Sequence, residues 1–134
     1  MIKILTGKIG AGKTLQAMGI AYRHLLEGKT LCTNVEVVYP VLAALGLKEH
    51  GKLIERDQII ELDLNEIPEW NTSIPWGVPG HPVLVILDEI HLFFNSRDWA
   101  KTDKHHRGMV SFLSQSRKAC VDIIFVAQEL KDIE

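Results

Sequence analysis

The sequence predicts an α/β domain, a mostly parallel sheet held between two layers of helices. Three observations carry this expectation. Apolar runs at residues 2–6, 83–87 and 121–127 read as buried strands, because a strand covered on both faces needs apolar residues at consecutive positions. A helical pattern over 13–27 follows the first run. Between that run and that helix lies Gly7-Lys8-Ile9-Gly10-Ala11-Gly12-Lys13-Thr14, which has the spacing of a phosphate-binding loop.

The elements follow in order. Residues 2–6 make the first strand and stop at Gly7. Over 13–27, Leu15, Met18, Tyr22 and Leu25 recur at i, i+3, i+7 and i+10 and define one helix face; Gln16, Arg23 and Glu27 lie on another. Gly28 is a natural stop. Residues 30–35 are a second strand candidate, and 40–47 a short helix ending near Gly46. Residues 53–64 mix apolar and charged positions with no clean period. The stretch 67–82 holds four prolines, two glycines and two tryptophans and reads as irregular. Val83-Leu84-Val85-Ile86-Leu87 is the strongest strand and ends at Asp88-Glu89. A polar, basic segment covers 97–107, and 108–118 predicts a helix with Met109, Phe112 and Leu113 inward. The last strand, 121–127, is ended by Gln128. No repeat or boundary divides the chain, so one domain is expected.

Composition narrows the class. The 134 residues suffice for one domain. With 46% hydrophobic and 24% charged residues the chain is no disordered tail. A net charge of −2 excludes a globally basic nucleic-acid binder. Locally, Arg97, Lys101, Lys104, Arg107, Arg117 and Lys118 stand against Asp98 and Asp103, a patch of +4. Cys32 and Cys120 have no C-x-x-C spacing and read as buried thiols in a reducing compartment. No apolar run approaches the ~18 residues of a membrane span, and Met1-Ile2-Lys3-Ile4-Leu5 does not read as a signal peptide. The expectation is a cytoplasmic, soluble chain.

The motif G-x-x-x-x-G-K-[ST] is met by Gly7, Gly12, Lys13 and Thr14. Such a loop turns its backbone N–H groups inward on phosphate oxygens, and the following helix adds its positive dipole end. Gly7, Gly10, Ala11, Gly12, Lys13, Thr14 and Leu15 are therefore the expected ATP-binding set. Lys13 would reach the β- and γ-phosphates, and the Thr14 hydroxyl would take a place on Mg²⁺. The bland alternative is a glycine-rich turn before a helix.

Asp88 ends the apolar strand, where a carboxylate can hold Mg²⁺ directly or through water. Its bland alternative is a cap at a strand end. Glu89 is a second carboxylate beside it, suited to polarise an attacking water as general base. The pair Asp88-Glu89 thus favours hydrolysis over transfer to a small molecule. Gln128, at the end of the following strand, can orient that water or sense the γ-phosphate. These features fit a three-layer P-loop NTPase of the additional-strand, catalytic-Glu branch, in which the 121–127 strand inserts between the loop strand and the Asp88 strand. Arg117 and Arg107 are candidates to reach a nucleotide held by a neighbouring subunit; otherwise the basic run is a solvated face. His91, His105 and His106 lack a third-ligand spacing and read as surface or packing residues.

Asp88-Glu89-Ile90-His91-Leu92-Phe93-Phe94-Asn95-Ser96-Arg97-Asp98-Trp99 resembles the second nucleotide motif of zonular occludens toxin-like proteins, the assembly ATPases of filamentous phages. Phe112-Leu113-Ser114-Gln115-Ser116-Arg117-Lys118, the strand Val121-Asp122-Ile123-Ile124-Phe125 and Gln128 are also similar to that family. The resemblance covers 7–14 and 83–128 well and 36–82 hardly at all. It implies the cytoplasmic motor domain of an inner-membrane protein that drives virion assembly and export, working with Mg²⁺ and ATP. Lys13, Thr14, Asp88, Glu89 and Gln128 would be its nucleotide and catalytic set, and Arg117 a finger or structural arginine. The implied partners are further copies in a ring, hexameric in the family manner, together with phage coat or assembly proteins, or DNA. Family members continue into a transmembrane helix and an outer domain, so a domain incomplete at its C-terminal end is expected here. A further strand beside the loop strand is also usual; without it, residues 2–6 would be an exposed apolar edge.

Other classes remain in view. A DNA-translocating or packaging ATPase shares the motifs. A helicase shares Asp88-Glu89-Ile90-His91, but needs a second motor domain and a Ser-Ala-Thr step where this chain has Val126-Ala127-Gln128. A nucleoside kinase of the thymidine kinase kind would bring zinc-binding cysteine pairs. A nucleotide-binding scaffold would keep the fold with negligible turnover.

Overall fold

A computed structural model describes residues 2–5, 12–63, 74–88 and 112–126. Within them lie strand β1 (Ile2–Leu5), helix α1 (Lys13–Leu26), strand β2 (Leu31–Thr33) and helix α2 (Tyr39–Leu45). Then come strands β3 (Ile59–Glu61), β4 (Val83–Asp88) and β5 (Val121–Val126). These five strands form one sheet in the order β1-β5-β4-β2-β3, with every pair parallel.

The alternation of a strand divides the core into two halves. Val83, Val85 and Leu87 of β4 join Val121, Ile123 and Phe125 of β5 on one face, under Phe112 and Ala119. Leu84 and Ile86, with Ile124 and Val126, point to the other face and meet Ala17, Ala21 and Leu25 of α1. This explains the apolar runs: the middles of β4 and β5 are covered on both sides, and their acids, Asp88 and Asp122, lie near the strand ends.

Helix α1 packs differently from its sequence pattern. Its buried residues are Ala17, Ala21 and Leu25, while Leu15 is 78% exposed. Met18 and Tyr22 are only partly buried. The expected stripe is thus rotated by about one residue, because two alanines let the helix backbone lie close on the sheet. The C-terminal end is fixed by Gly28, whose φ of 80° gives a left-handed stop. Gln58 then donates from Nε2 to the carbonyls of Leu25 (3.0 Å) and Lys29 (2.7 Å), tying the end of α1 and the residue after its glycine to the segment before β3.

The region between β2 and β4 holds more structure than its sequence suggests. Helix α2 starts one residue before Pro40, then widens into a π turn over Gly46–His50. A 3₁₀ turn at Arg56–Gln58, closed by a capping box with Glu55, leads straight into β3. β2 is shorter than expected, ending at Thr33. The expected 108–118 helix is described only from 112; it is helical over 112–115 and breaks into turns over 116–120. β5 inserts between β1 and β4 as the sequence predicts. Among the described residues β1 lies at the sheet edge, with Ile2 50% and Ile4 52% exposed. Among the described residues no helix is long and apolar enough to cross a membrane.

Two outcomes follow. Cys32 lies fully buried in β2, and burial pushes its thiol up to about 12, whereas Cys120 is half-buried. A thiol-alkylating reagent should label Cys120 in the native chain and Cys32 only on unfolding. His24, in the last turn of α1, is half-buried, and its Nε2 has no hydrogen-bond partner among the described residues. Burial, then the Lys29 charge, hold its pKa below the ordinary 6.5 against the opposing pull of the Pro82 carbonyl, Glu27 and Asp122. The unfolded chain therefore takes up this proton first on acidification. The stability that neutral His24 contributes is complete above about pH 6.5 and is lost as the pH falls below it. Urea midpoints on either side of that pH should show the loss, and His24→Gln should flatten it.

Candidate nucleotide site

The parallel register brings three strand ends to one rim. Leu5 pairs with Val126, and Val126 with Asp88, so β1, β5 and β4 finish side by side. In an open parallel sheet this carboxyl rim, at the point where strand order reverses, is where ligands sit. The loop expected to cradle phosphate leaves β1 at this rim, and α1 begins there. Gly12 caps the helix with φ 79° and ψ 17°, a left-handed conformation that favours glycine. Its carbonyl accepts the first helical bond, from the Gln16 amide at 2.9 Å.

The first turn of α1 carries Lys13, Thr14 and the exposed Leu15. Thr14 Oγ1 donates to Asp88 Oδ2 at 3.3 Å, across 74 residues of sequence. A hydroxyl and a carboxylate from different elements thus meet beside a helix N-terminus. These hard oxygen donors, few in number, fit a largely hydrated Mg²⁺. The positive end of the helix dipole favours an anion at the same place.

Asp88 is also held from behind. Its amide donates to Asn34 Oδ1 at 2.8 Å, and Asn34 Nδ2 donates to the Asp88 carbonyl at 2.9 Å. Asn34 follows directly on β2. Nothing in the sequence singled it out; the only signal was a polar amide at the end of a strand candidate.

Of the residues expected to bind nucleotide or metal, the structure brings Gly12, Lys13, Thr14, Leu15 and Asp88 to this rim. Gly7, Gly10, Ala11, Glu89 and Gln128 lie outside the described residues. Arg117 is exposed and sits just before β5, beside a concavity lined by Pro82, Cys120 and Asp122. That is the amino rim of the sheet. The length of β4, about 16 Å from Val83 to Asp88, separates it from the Thr14–Asp88 contact. Arg117 therefore stands apart from the carboxyl-rim group of its own chain.

The Thr14–Asp88 bond should appear as a coupling in stability. A double-mutant cycle of Thr14→Val and Asp88→Ala, followed by urea unfolding, should give a coupling of about 1 kcal/mol.

Comparison with known proteins adds family to this geometry. The family described as zonular occludens toxin (Zot) matches residues 1–134. The Gene 1 protein of Escherichia phage If1 is 34% identical over 131 residues, covering 96% of this chain and 36% of that protein. The Gene 1 protein of Enterobacteria phage I2-2 is 31% identical over 131 residues, covering 96% of this chain and 34% of that protein. The chain thus spans about a third of the length of these curated relatives. Among solved structures, the ATPase domain of G40P superposes with a TM-score of 0.57 at 14% identity, over 95% of this chain and 56% of that chain, a likeness of fold. The chain belongs to the zonular occludens toxin (Zot) family, on an α/β fold like that of the ATPase domain of G40P.

Proposed function

We propose that the chain binds and hydrolyses ATP with Mg²⁺ and serves as the cytoplasmic motor domain of a filamentous-phage-type assembly and export protein. The observation that carries this reading is the Thr14–Asp88 contact, 3.3 Å long, at the N-terminus of the helix that follows the glycine-rich loop. Gly7, Gly10, Ala11 and Gly12 would wrap the phosphates with backbone amides, and Lys13 would neutralise the β- and γ-phosphates. Thr14 and Asp88 would hold the metal. When bound, Mg²⁺ would supply neutralisation of the phosphate charge.

Glu89 follows Asp88 directly and would take the proton of the attacking water as general base. Gln128, two residues past the end of β5, would orient that water. Arg117 at the amino rim would act, as a finger, only on a nucleotide held by a neighbouring copy. That supports a ring of like chains rather than a self-sufficient monomer. The phage Gene 1 proteins among its relatives support a phage setting; virion assembly at an inner membrane, with phage proteins or DNA as partners, completes the proposal.

Three variants test this. Lys13→Ala should lose ATP binding. Glu89→Gln should keep ATP binding and lose turnover by about 10²- to 10⁴-fold. In sedimentation velocity, Glu89→Gln with Mg-ATP should shift from monomer to a larger species, and adding Arg117→Ala should weaken that shift. Unchanged turnover in Glu89→Gln would contradict the assigned base.

A further inference from the structure

We infer that Asn34 is a positioning residue for this site: its carboxamide stands in for a missing strand partner and sets the peptide that joins Asp88 to Glu89. The inference rests on the hydrolytic reading above and adds a residue to it.

The backbone pattern of β4 shows why a substitute is needed. Alternate residues of a strand present their N–H and C=O to opposite neighbours. The Val83 amide bonds the Cys120 carbonyl on the β5 side, while the Leu84 amide bonds the Thr30 carbonyl on the β2 side. Leu84, Ile86 and Asp88 therefore face β2 with their backbone groups. The β2 ladder ends with Thr33 opposite Ile86, two residues short of Asp88. The Thr33 carbonyl is turned the other way, accepting the Leu62 amide at 2.8 Å. Without Asn34, both backbone groups of Asp88 would face β2 with no strand beside them.

Asn34 fills that gap with one side chain. The carboxamide offers a donor and an acceptor together, which is what an N–H and C=O pair requires. Its place is fixed by Thr33, fully buried, whose Oγ1 accepts the Val35 amide at 3.0 Å and bends the chain just after β2. Asp88 is thus gripped twice: its side chain by Thr14 from the helix layer, its backbone by Asn34 from within the sheet plane.

The carbonyl half of that grip matters most for chemistry. The Asp88 C=O belongs to the same peptide plane as the Glu89 N–H. A bond that fixes this carbonyl fixes the orientation of that peptide plane at the end of β4. Small errors in the placement of a base cost rate while leaving nucleotide affinity intact.

The test compares Asn34→Ala and Asn34→Asp with the parent chain. Steady-state ATP hydrolysis is measured over a Mg²⁺ titration, and binding of a fluorescent ATP analogue in parallel. Asn34→Ala should lower kcat by about 10- to 100-fold and raise the Mg²⁺ midpoint, with nucleotide affinity at saturating Mg²⁺ unchanged. Asn34→Asp can accept the Asp88 amide but cannot donate to its carbonyl. It should keep hydrogen-exchange protection of the Asp88 amide yet lose as much kcat as the alanine variant. Parent-like kcat in either variant, or a loss confined to nucleotide affinity, would overturn the inference. If the parent binds nucleotide without turnover, the hydrolytic reading fails by itself. Asn34 is then judged on the Mg²⁺ midpoint for binding, which an unchanged value in Asn34→Ala would decide against it. A parent that binds no nucleotide overturns both.

Discussion

One hydrogen bond joins the two halves of this site: Thr14 Oγ1 to Asp88 Oδ2. It ties the start of α1 to the end of β4, two points far apart in sequence. Everything around it serves to hold those points in register. Ala17, Ala21 and Leu25 press the body of α1 onto Leu84, Ile86 and Ile124, which fixes the height of the helix over the sheet. Gln58 binds the carbonyls at the far end of the helix, so α1 is held at both ends. A helix whose axis slid by a single residue rise, about 1.5 Å, would pull Thr14 out of hydrogen-bonding reach.

The sheet does the same for Asp88. β4 is the centre of the described sheet, flanked by β5 and β2, and its five leading residues are buried on both faces. Its last residue, Asp88, is half-exposed at the rim, the one place along the strand where a carboxylate meets solvent. A charge buried deeper in that strand would carry a heavy desolvation penalty. At the rim it stays available to a cation while its backbone remains ordered by Asn34. The position of the acid is therefore set by where burial ends.

Much of this was legible in the chain, and for physical reasons. β4 and β5 announced themselves because the stretches of a strand covered on both faces must be apolar. The glycine-rich spacing predicts a phosphate loop, of whose glycines Gly12 alone lies among the described residues. The insertion of β5 between β1 and β4 followed from the chemistry at three strand ends. What escaped shares a different property. β3 has three residues, Ile59–Glu61, too few to show a period. The inward face of α1 was misjudged because hydrophobicity favours Leu15, while packing against a sheet favours the small Ala17 and Ala21. The helix expected to 118 breaks after 115, and Cys120 adopts a left-handed φ of 53° in the turn that feeds β5. Asn34 was invisible because its role depends on a partner 54 residues away.

The most direct test of the account is where a nucleotide-bound metal sits. Mn²⁺ can replace Mg²⁺ and broadens the NMR signals of nearby residues. With Mn²⁺ and ADP bound to the isotopically labelled chain, broadening should be strongest at Thr14, Asn34 and Asp88 and weaker at Arg117 and Asp122. Broadening centred on Arg117 and Asp122, or absent from Thr14 and Asp88, would contradict a metal–nucleotide site at the carboxyl rim.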